Sequence, residues 1–146
     1  MVITISNQQK SLPLSLPLLR KRLKQMLRQL KCPSKTELSL LITTDEAIAQ
    51  LNHAYLGHEG PTNVLSFSQV EGGGFNNGLL GDVVVSADTA IKEARQHGLD
   101  EMEHFTRLVL HGCLHLLGYH HEQGGEDARI MEELTEQVLA STRPEV

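Results

Sequence analysis

Hydrophobic and polar residues recur along this chain with the spacings of strands and helices. Val2 to Ser6 (VITIS) alternate and are rich in β-branched residues, which predicts a short first strand. Between Ser15 and the Cys32-Pro33 break, apolar residues recur every three or four positions, which predicts a helix that buries one stripe. The stripe comprises Leu16, Leu19, Leu23, Met26, Leu27 and Leu30.

The following segments predict a second strand, a second helix and a hairpin. Residues 37–43 (ELSLLIT) have the composition of a strand, and Thr43 with Glu46 matches a capping box that opens a helix. A Pro-containing turn leads into a third strand within 60–67, and residues 79–86 (LLGDVVVS) predict a fourth. The glycine-rich stretch between the last two has hairpin-turn chemistry, so we expect these strands to be neighbours.

Three further helices are predicted in the second half of the chain. Ser86 caps the first, which ends before Gly98, and Asp100 with Glu103 caps the second. The apolar stripe of the last helix comprises Ile130, Met131, Leu134 and Val138. This order of elements predicts an α/β layer structure in which helices cover one small mixed sheet, as a single domain over residues 1–146.

Composition fits a single globular domain. Hydrophobic residues make up 40% of the 146, which suffices to bury a core. The two cysteines, Cys32 and Cys113, are too few for a secreted disulfide framework, and we expect Cys113 to be a small core residue. There is no signal-peptide pattern and no run of about 18 apolar residues, so we expect a cytoplasmic protein without a membrane partner.

Positive charge is concentrated near the N-terminus, although the formal net charge is -5. Five basic and all 18 acidic side chains belong to the chain from Glu37 onward. The basic residues of the preceding segment, 1–36, predict either a positive patch that binds phosphates or a solvated helix face. These residues are Lys10, Arg20, Lys21, Arg22, Lys24, Arg28, Lys31 and Lys35.

The candidate chemistry lies in residues 111–121 (HGCLHLLGYHH). His111 and His115 are four residues apart in a helical pattern, so both imidazoles project from one face and one ion can bridge them. Gly118 is placed to end the helix in a left-handed conformation, after which His121 can approach the same ion. Three nitrogen ligands leave a fourth position open, as in catalytic zinc sites. The sequence therefore predicts one Zn²⁺ bound by these three histidines.

Two other interpretations of the histidines remain open. His111 and His115 can belong to a buried helix face and donate to carbonyl groups, with His120 and His121 on a solvated turn. The spacing also matches the zincin pattern His-Glu-x-x-His-x-x-Gly-x-x-His, which indicates a zinc hydrolase of peptides or small molecules. Against that interpretation, Gly112 stands where the general-base glutamate would be.

The same segment resembles the signature His-Gly-x-Leu-His-Leu-x-Gly-Tyr-Asp-His of the YbeY family of bacterial rRNA-maturation metallo-endoribonucleases, with His120 in place of the aspartate. Residues 51–57 resemble the family pattern Leu-Asn-x-x-Tyr-Arg-Gly, and residues 61–68 resemble Pro-Thr-Asn/Asp-Val-Leu-Ser-Phe-Pro. Residues 79–86 are similar to the family's Leu-Leu-Gly-Asp-Ile-x-Ile-Ser. The motifs span the chain from about residue 51 to residue 121.

The resemblance implies an α/β (α+β-like) fold with a small four-stranded mixed sheet, about five helices and a zincin-like metal helix. It implies a single-strand-specific, zinc-dependent endoribonuclease that matures the 3′ end of 16S rRNA and acts in ribosome quality control. The implied partners are single-stranded rRNA and the ribosome or its 30S subunit, and neither DNA nor a membrane. A ribosome-associated RNA-binding module with a structural zinc is the alternative within the same resemblance.

The chain departs from the family patterns at several positions. Leu56 occupies the position of an arginine that the resemblance implies to contact RNA phosphate, and Ser68 replaces a proline. His58 is either a weaker cation for that role or an exposed loop histidine. Arg107 stands where the family commonly has a histidine, and we expect it to meet phosphate or to pair with Glu103.

The sequence does not identify the general base. Glu122, His120 and Asp82 are candidates by chemistry or by proximity to the histidines. Asp82 interrupts an apolar strand, so we expect it either to orient a metal-bound histidine or to accept backbone donors. His120 can alternatively be a fourth zinc ligand, which would favour a structural zinc. His104 is predicted to be a surface residue.

Overall fold

The computed structural model describes residues 1–68, 78–119 and 125–144. The elements within these ranges follow the predicted order of strand, helix, strand, helix, two strands and three helices. They are β1 (Val2–Asn7), α1 (Leu16–Gln29), β2 (Glu37–Thr43), α2 (Asp45–Leu56), β3 (Val64–Ser68), β4 (Leu79–Ser86), α3 (Ala87–His97), α4 (Glu101–Leu116) and α5 (Gly125–Thr142).

The four strands form one mixed sheet in the order β1-β2-β4-β3. β1 pairs in parallel with β2, and β2 pairs in parallel with β4. β3 lies at the edge and pairs antiparallel to β4, with Ser66 opposite Val83. The predicted pairing of the third and fourth strands is confirmed, while most of the glycine-rich connector that motivated it lies outside the described residues.

Side chains of the strands alternate between two apolar layers, because successive residues of a strand point to opposite faces. The larger layer lies between the sheet and helices α1, α3, α4 and α5. The smaller layer lies between the other face and α2. Strand residues of the larger layer include Leu38, Leu40, Ile42, Val83 and Val85, and the smaller layer contains Leu41, Leu65, Phe67 and Val84. α4 is therefore held on one defined face of the sheet.

The predicted helix starts are mostly confirmed. The side chains of Ser15, Ser86 and Asp100 each accept a hydrogen bond from the first turn of α1, α3 and α4, respectively. The capping residue of α2 is Thr44 and not Thr43, since Oγ1 of Thr44 accepts from the backbone of Ala47 at 3.2 Å. Thr43 is still buried in β2, so the predicted capping box was one residue early.

Two predictions about helix faces were wrong. Ile130 is 41% exposed, and the buried face of α5 consists of Met131, Thr135, Val138, Leu139 and Thr142. Arg22 is buried in α1, whereas the basic residues were expected to lie outside. It is accommodated because Glu103 and the carbonyl group of Leu139 accept its hydrogen bonds. No helix in the described ranges is long and apolar enough to cross a membrane.

Candidate active site

The predicted histidine pair lies on the last two turns of α4. His111 and His115 are both half-buried and occupy i and i+4, so their side chains project from one face. Asp100 caps the start of α4, and its Oδ2 accepts a hydrogen bond from the backbone of Glu103 at 2.8 Å. The helix therefore presents two imidazoles, one turn apart, near its C-terminal end.

Gly118 ends α4 as predicted. It has a φ of 96°, which favours glycine, and its N–H donates to the carbonyl group of His115 at 3.0 Å. The N–H of Tyr119 donates to the carbonyl group of Leu114 at 2.9 Å, which completes a Schellman motif. The chain is thus turned sharply away from the helix directly after the second histidine.

Gly112 lies at a close approach of α4 to the sheet. A Cβ atom at this position would lie 2.6 Å from Cγ1 of Val83 and 3.1 Å from Cγ2 of Val64. Position 112 therefore faces the sheet and has no room for a side chain. A glutamate here would be buried against β3 and β4, so the zincin arrangement with a base at this position does not fit the chain.

Ser66 connects the edge strand β3 to the turn of α4 that contains Gly112. Its Oγ donates a hydrogen bond to the carbonyl group of Gly112 at 2.9 Å. This contact was not predicted from the sequence. Its only signal was a serine at an inward-facing position between Leu65 and Phe67, where an apolar residue would be expected.

A groove of about 340 Å³ runs beside His111 between α4 and α5. Arg107 borders it and pairs with Glu136 of α5 at 3.2 Å. The predicted alternative pairing of Arg107 with Glu103 was wrong, because Glu103 faces α1. The remaining lining residues are Ala128, Met131, Glu132 and Thr135.

Glu103 forms a bridge between α1, α4 and the end of the chain. Both of its carboxylate oxygens accept hydrogen bonds from Arg22 at 3.0 Å, and Arg143 donates to Oε1 at 3.0 Å. Burial opposes ionisation of the carboxyl group, but the hydrogen bonds from the two arginines outweigh it and hold the pKa of Glu103 below its usual range. This network stabilises the N-terminal half of the histidine helix.

His104 is buried, so its prediction as a surface residue was wrong. It is 9% exposed, and its Nε2 lies 2.9 Å from Oε1 of Glu93 in α3. Asn63, just before β3, donates to the same carboxylate at 3.4 Å. Nδ1 of His104 is buried without a hydrogen-bond partner. The cluster joins α3, α4 and the entry to β3, and the sequence offered no periodic signal for it.

Asp82 is the one general-base candidate within the described residues, and the sheet does not bring it together with the histidine pair. Asp82 is paired in the sheet with Ser39 and Phe67, and it shares their face, which is opposite to the face that α4 covers. Its expected role of orienting a metal-bound histidine of α4 is therefore not favoured. His120 and Glu122 lie outside the described residues.

Cys113 is a core residue, as expected. It is fully buried, and burial followed by the nearby charge of Cys32 raises the pKa of its thiol to about 12. Burial also raises the pKa of Cys32 to about 11. In the protein alone neither thiol is ionised near neutral pH, so neither has the thiolate character of a nucleophile.

The two described histidines fit part of a zinc site. Imidazoles four residues apart on a helix are typical zinc ligands, and both are accessible from outside the core. His121, the third predicted ligand, lies outside the described residues. Within 1–68, 78–119 and 125–144, no group of three or more His, Cys, Asp or Glu side chains is arranged to hold a metal ion. A complete zinc site therefore remains a prediction.

The end of α2 carries Leu56, which replaces the arginine of the family pattern. Leu56 is the last residue of α2 and is 49% exposed, and Gly57 ends the helix in a left-handed conformation. His58 is exposed, in agreement with the interpretation as a loop histidine. Leu56 has no charge or hydrogen-bonding group that can replace an arginine.

Comparison with known proteins identifies extensive similarity. The family model described as Endoribonuclease YbeY matches residues 4–143. An Endoribonuclease YbeY of Syntrophotalea carbinolica is 46% identical over 147 aligned residues, covering 99% of this chain and 97% of the relative. An Endoribonuclease YbeY of Geobacter metallireducens is 43% identical over 143 residues, covering 96% and 95%, respectively.

The fold also matches a solved structure. The solution structure of TM1509 from Thermotoga maritima aligns with a TM-score of 0.69 over 97% of this chain and 89% of that chain. The sequences are 22% identical, so this likeness concerns the fold alone.

Proposed function

The chain belongs to the YbeY endoribonuclease family, and we propose that it hydrolyses phosphodiester bonds of single-stranded RNA with one zinc ion bound by His111, His115 and His121. As a member of this family the protein is an endoribonuclease, and its substrate is RNA. The zinc-dependent mechanism is supported mainly by the pair His111 and His115, which lie on successive turns at the end of α4.

Three imidazoles would leave a ligand position for water or substrate, as in catalytic zinc sites. When bound, zinc supplies Lewis-acid activation of water and of a phosphoryl oxygen. The protein's own contribution is to fix the imidazoles. Gly112 allows α4 to lie against Val64 and Val83, and Ser66 holds the same turn by its hydrogen bond. Both contacts limit movement of the histidine pair relative to the sheet.

Arg107 is the cation that borders the groove beside His111. In the protein alone it pairs with Glu136 at 3.2 Å. We propose that a substrate phosphate exchanges with this carboxylate and binds the guanidinium group, which suits phosphate geometry. The general base is not assigned, and His120 and Glu122 remain candidates.

Single-stranded RNA is the favoured substrate because an unpaired backbone can bend into a cleft and reach one metal ion, whereas a stiff duplex cannot. We further propose a role in maturing the 3′ end of 16S rRNA and in ribosome quality control, in the cytoplasm and with the 30S subunit as partner. Family membership supports this role. A peptidase function is disfavoured because position 112 faces the sheet and cannot present a base.

Cleavage of matched nucleic acids tests the proposal. One end-labelled RNA would be offered as a single strand, as a duplex with its complement and as DNA of the same sequence. We expect zinc-loaded protein to cut the single-stranded RNA internally, with the duplex and the DNA cut at least tenfold more slowly. Equal cleavage of the duplex would contradict single-strand specificity. Cleavage of an unstructured peptide but of no RNA would replace the proposal with the zinc-peptidase alternative.

A further inference from the structure

Helix α1 carries three cationic side chains in one stripe on its outer face. Lys21, Lys24 and Arg28 follow one another at three- and four-residue spacing, and each is at least partly exposed. At a helical rise of ~1.5 Å per residue, the stripe extends over roughly 10 Å. A stacked nucleic-acid strand rises by ~3.4 Å per nucleotide, so the stripe matches about three nucleotides. We call these three residues the α1 cationic stripe.

The structure separates this stripe from the other basic residues of α1. Nε of Arg20 donates to the carbonyl group of Ile3, and Arg22 is buried against Glu103. The α1 cationic stripe forms no ion pair with any residue in the described part of the chain. The chain before Glu37 also contains no acid. The charge of the stripe is therefore not neutralised by neighbouring described residues.

A polar groove of about 450 Å³ adjoins the stripe between α1 and the end of α5. Lys21 and Gln25 line it from α1, while Ser141 and Arg143 line it from the other side. Cationic, amide and hydroxyl side chains are the groups that contact nucleic-acid phosphates and sugars in a sequence-independent manner. The groove thus extends the cationic stripe with further hydrogen-bonding groups.

From these observations we infer that the α1 cationic stripe binds the phosphate backbone of the RNA substrate outside the cleaved segment. The inference rests on the proposed ribonuclease function. The Arg22–Glu103 contact places α1 beside the start of α4. His115 lies twelve residues further along α4, or ~18 Å at the helical rise. A strand that reaches both places must be several nucleotides longer than the segment at the histidines.

RNA is favoured over an anionic membrane as the occupant. A helix that lies on a membrane needs an accessible apolar face. The apolar residues Leu19, Leu23, Met26 and Leu27 of α1 are buried in the protein core. Leu18 is the exposed large apolar residue of this helix, and one leucine is not enough for insertion. An acidic protein with one cationic helix face is instead suited to orient a polyanion.

Binding and cleavage of long and short RNA test the inference. The variant Lys21→Gln/Lys24→Gln/Arg28→Gln would be compared with Lys10→Gln/Lys35→Gln/Arg95→Gln, which removes the same charge from exposed positions outside α1. Probes are labelled polyuridylate strands of 30 and 6 nucleotides. Binding is measured by fluorescence anisotropy in EDTA at several salt concentrations, and cleavage is measured with zinc. Thermal unfolding checks that both variants are folded.

We expect the α1 variant to bind the 30-mer roughly ten- to a hundredfold more weakly near 0.1 M salt, with a salt slope smaller by about 2, because three phosphate contacts are lost. Its cleavage of the 6-mer should equal that of the wild type, and a Lys21→Arg/Lys24→Arg variant should retain affinity. If both triple variants weaken binding equally, or neither does, the inference is wrong although wild-type cleavage still supports the proposed function. If the wild type neither binds nor cuts RNA, the proposed function fails, and the inference fails with it.

Discussion

Ser66 of the edge strand β3 donates a hydrogen bond of 2.9 Å to the carbonyl group of Gly112, which lies next to His111 in α4. The bond connects a strand residue and a helix residue that are 46 positions apart in sequence. It acts at the turn where Gly112 also brings the helix into contact with Val64 and Val83. The histidine pair is therefore positioned by the sheet as well as by its own helix.

Replacing Ser66 with alanine removes this hydrogen bond while keeping the strand. We expect Ser66→Ala to lower the free energy of unfolding by about 1 kcal/mol, since the carbonyl group of Gly112 loses a partner. RNA cleavage should fall several-fold, because the turn that carries His111 becomes less constrained. Urea unfolding and cleavage assays measure the two effects. Ser39→Ala, at an exposed position on the other sheet face, is the control, and an equal loss in that variant would argue against a specific role of Ser66.

A methyl group at position 112 tests the close approach of α4. Gly112→Ala places Cβ at 2.6 Å from Cγ1 of Val83, and we expect a loss of about 1–3 kcal/mol of stability from overpacking. Shortening the neighbour should relieve part of this loss, so Gly112→Ala should be less destabilising in a Val83→Ala background than in the wild type. Denaturant unfolding of the wild type, the two single variants and the double variant gives the coupling free energy between positions 112 and 83. A stabilising effect of Gly112→Ala, as in an exposed helix, would contradict the packing described here.

The Glu103 network predicts a pH dependence of stability. The pKa of Glu103 is lowered in the folded protein from the model-compound value of 4.5. Its ionised form therefore stabilises the protein fully above that value, and the contribution is lost as the pH falls through the lowered folded pKa. We expect the stability difference between wild type and Glu103→Gln to be largest near pH 7 and to shrink below pH 4.5. Urea unfolding at a series of pH values measures this difference, and Glu46→Gln, at an exposed position, is the control. A stability difference that grows towards acid pH would contradict stabilisation of the ionised Glu103 by the two arginines.

Leu56 offers a test of the missing arginine. Because Leu56 is half-exposed at the end of α2, an arginine there can extend into solvent without strain. We expect Leu56→Arg to cut single-stranded RNA several-fold faster, since a guanidinium group can bind substrate phosphate. Leu99→Arg adds the same charge at another exposed leucine and should have little effect. Equal rates for the wild type and Leu56→Arg would mean that the position does not contribute to catalysis in this chain.

Local patterns predicted the elements of this fold because each element has its own periodicity and caps. The leucine stripe of α1, Ser86 at the start of α3 and Gly118 at the end of α4 were all identified from neighbouring residues. The buried positions of Arg22 and His104 were not, because each depends on a carboxylate far away in sequence, Glu103 or Glu93. A charged or polar residue on a helix is normally exposed, and only its tertiary partner changes that expectation.

In the candidate site, too, local patterns were predictable from the sequence and tertiary contacts were not. The spacing of His111 and His115 sufficed to predict a shared helix face, since four residues make about one turn. The direction of Asp82 depended on the register of β4 beside β2 and β3, which no local pattern defines. The serine at the inward-facing position 66 was a weak signal that did not identify its partner, because the hydrogen bond forms only when β3 packs against α4.

We propose that the histidine pair of α4 holds the zinc ion on which RNA cleavage depends. The most direct test measures bound zinc and cleavage of single-stranded RNA for wild type, His111→Ala and His115→Ala, with His53→Ala at an exposed position as control. We predict one zinc per chain and cleavage for the wild type and His53→Ala, and loss of both for the other two variants. Full cleavage by His111→Ala and His115→Ala, or cleavage by the wild type after complete removal of zinc, would contradict the claim.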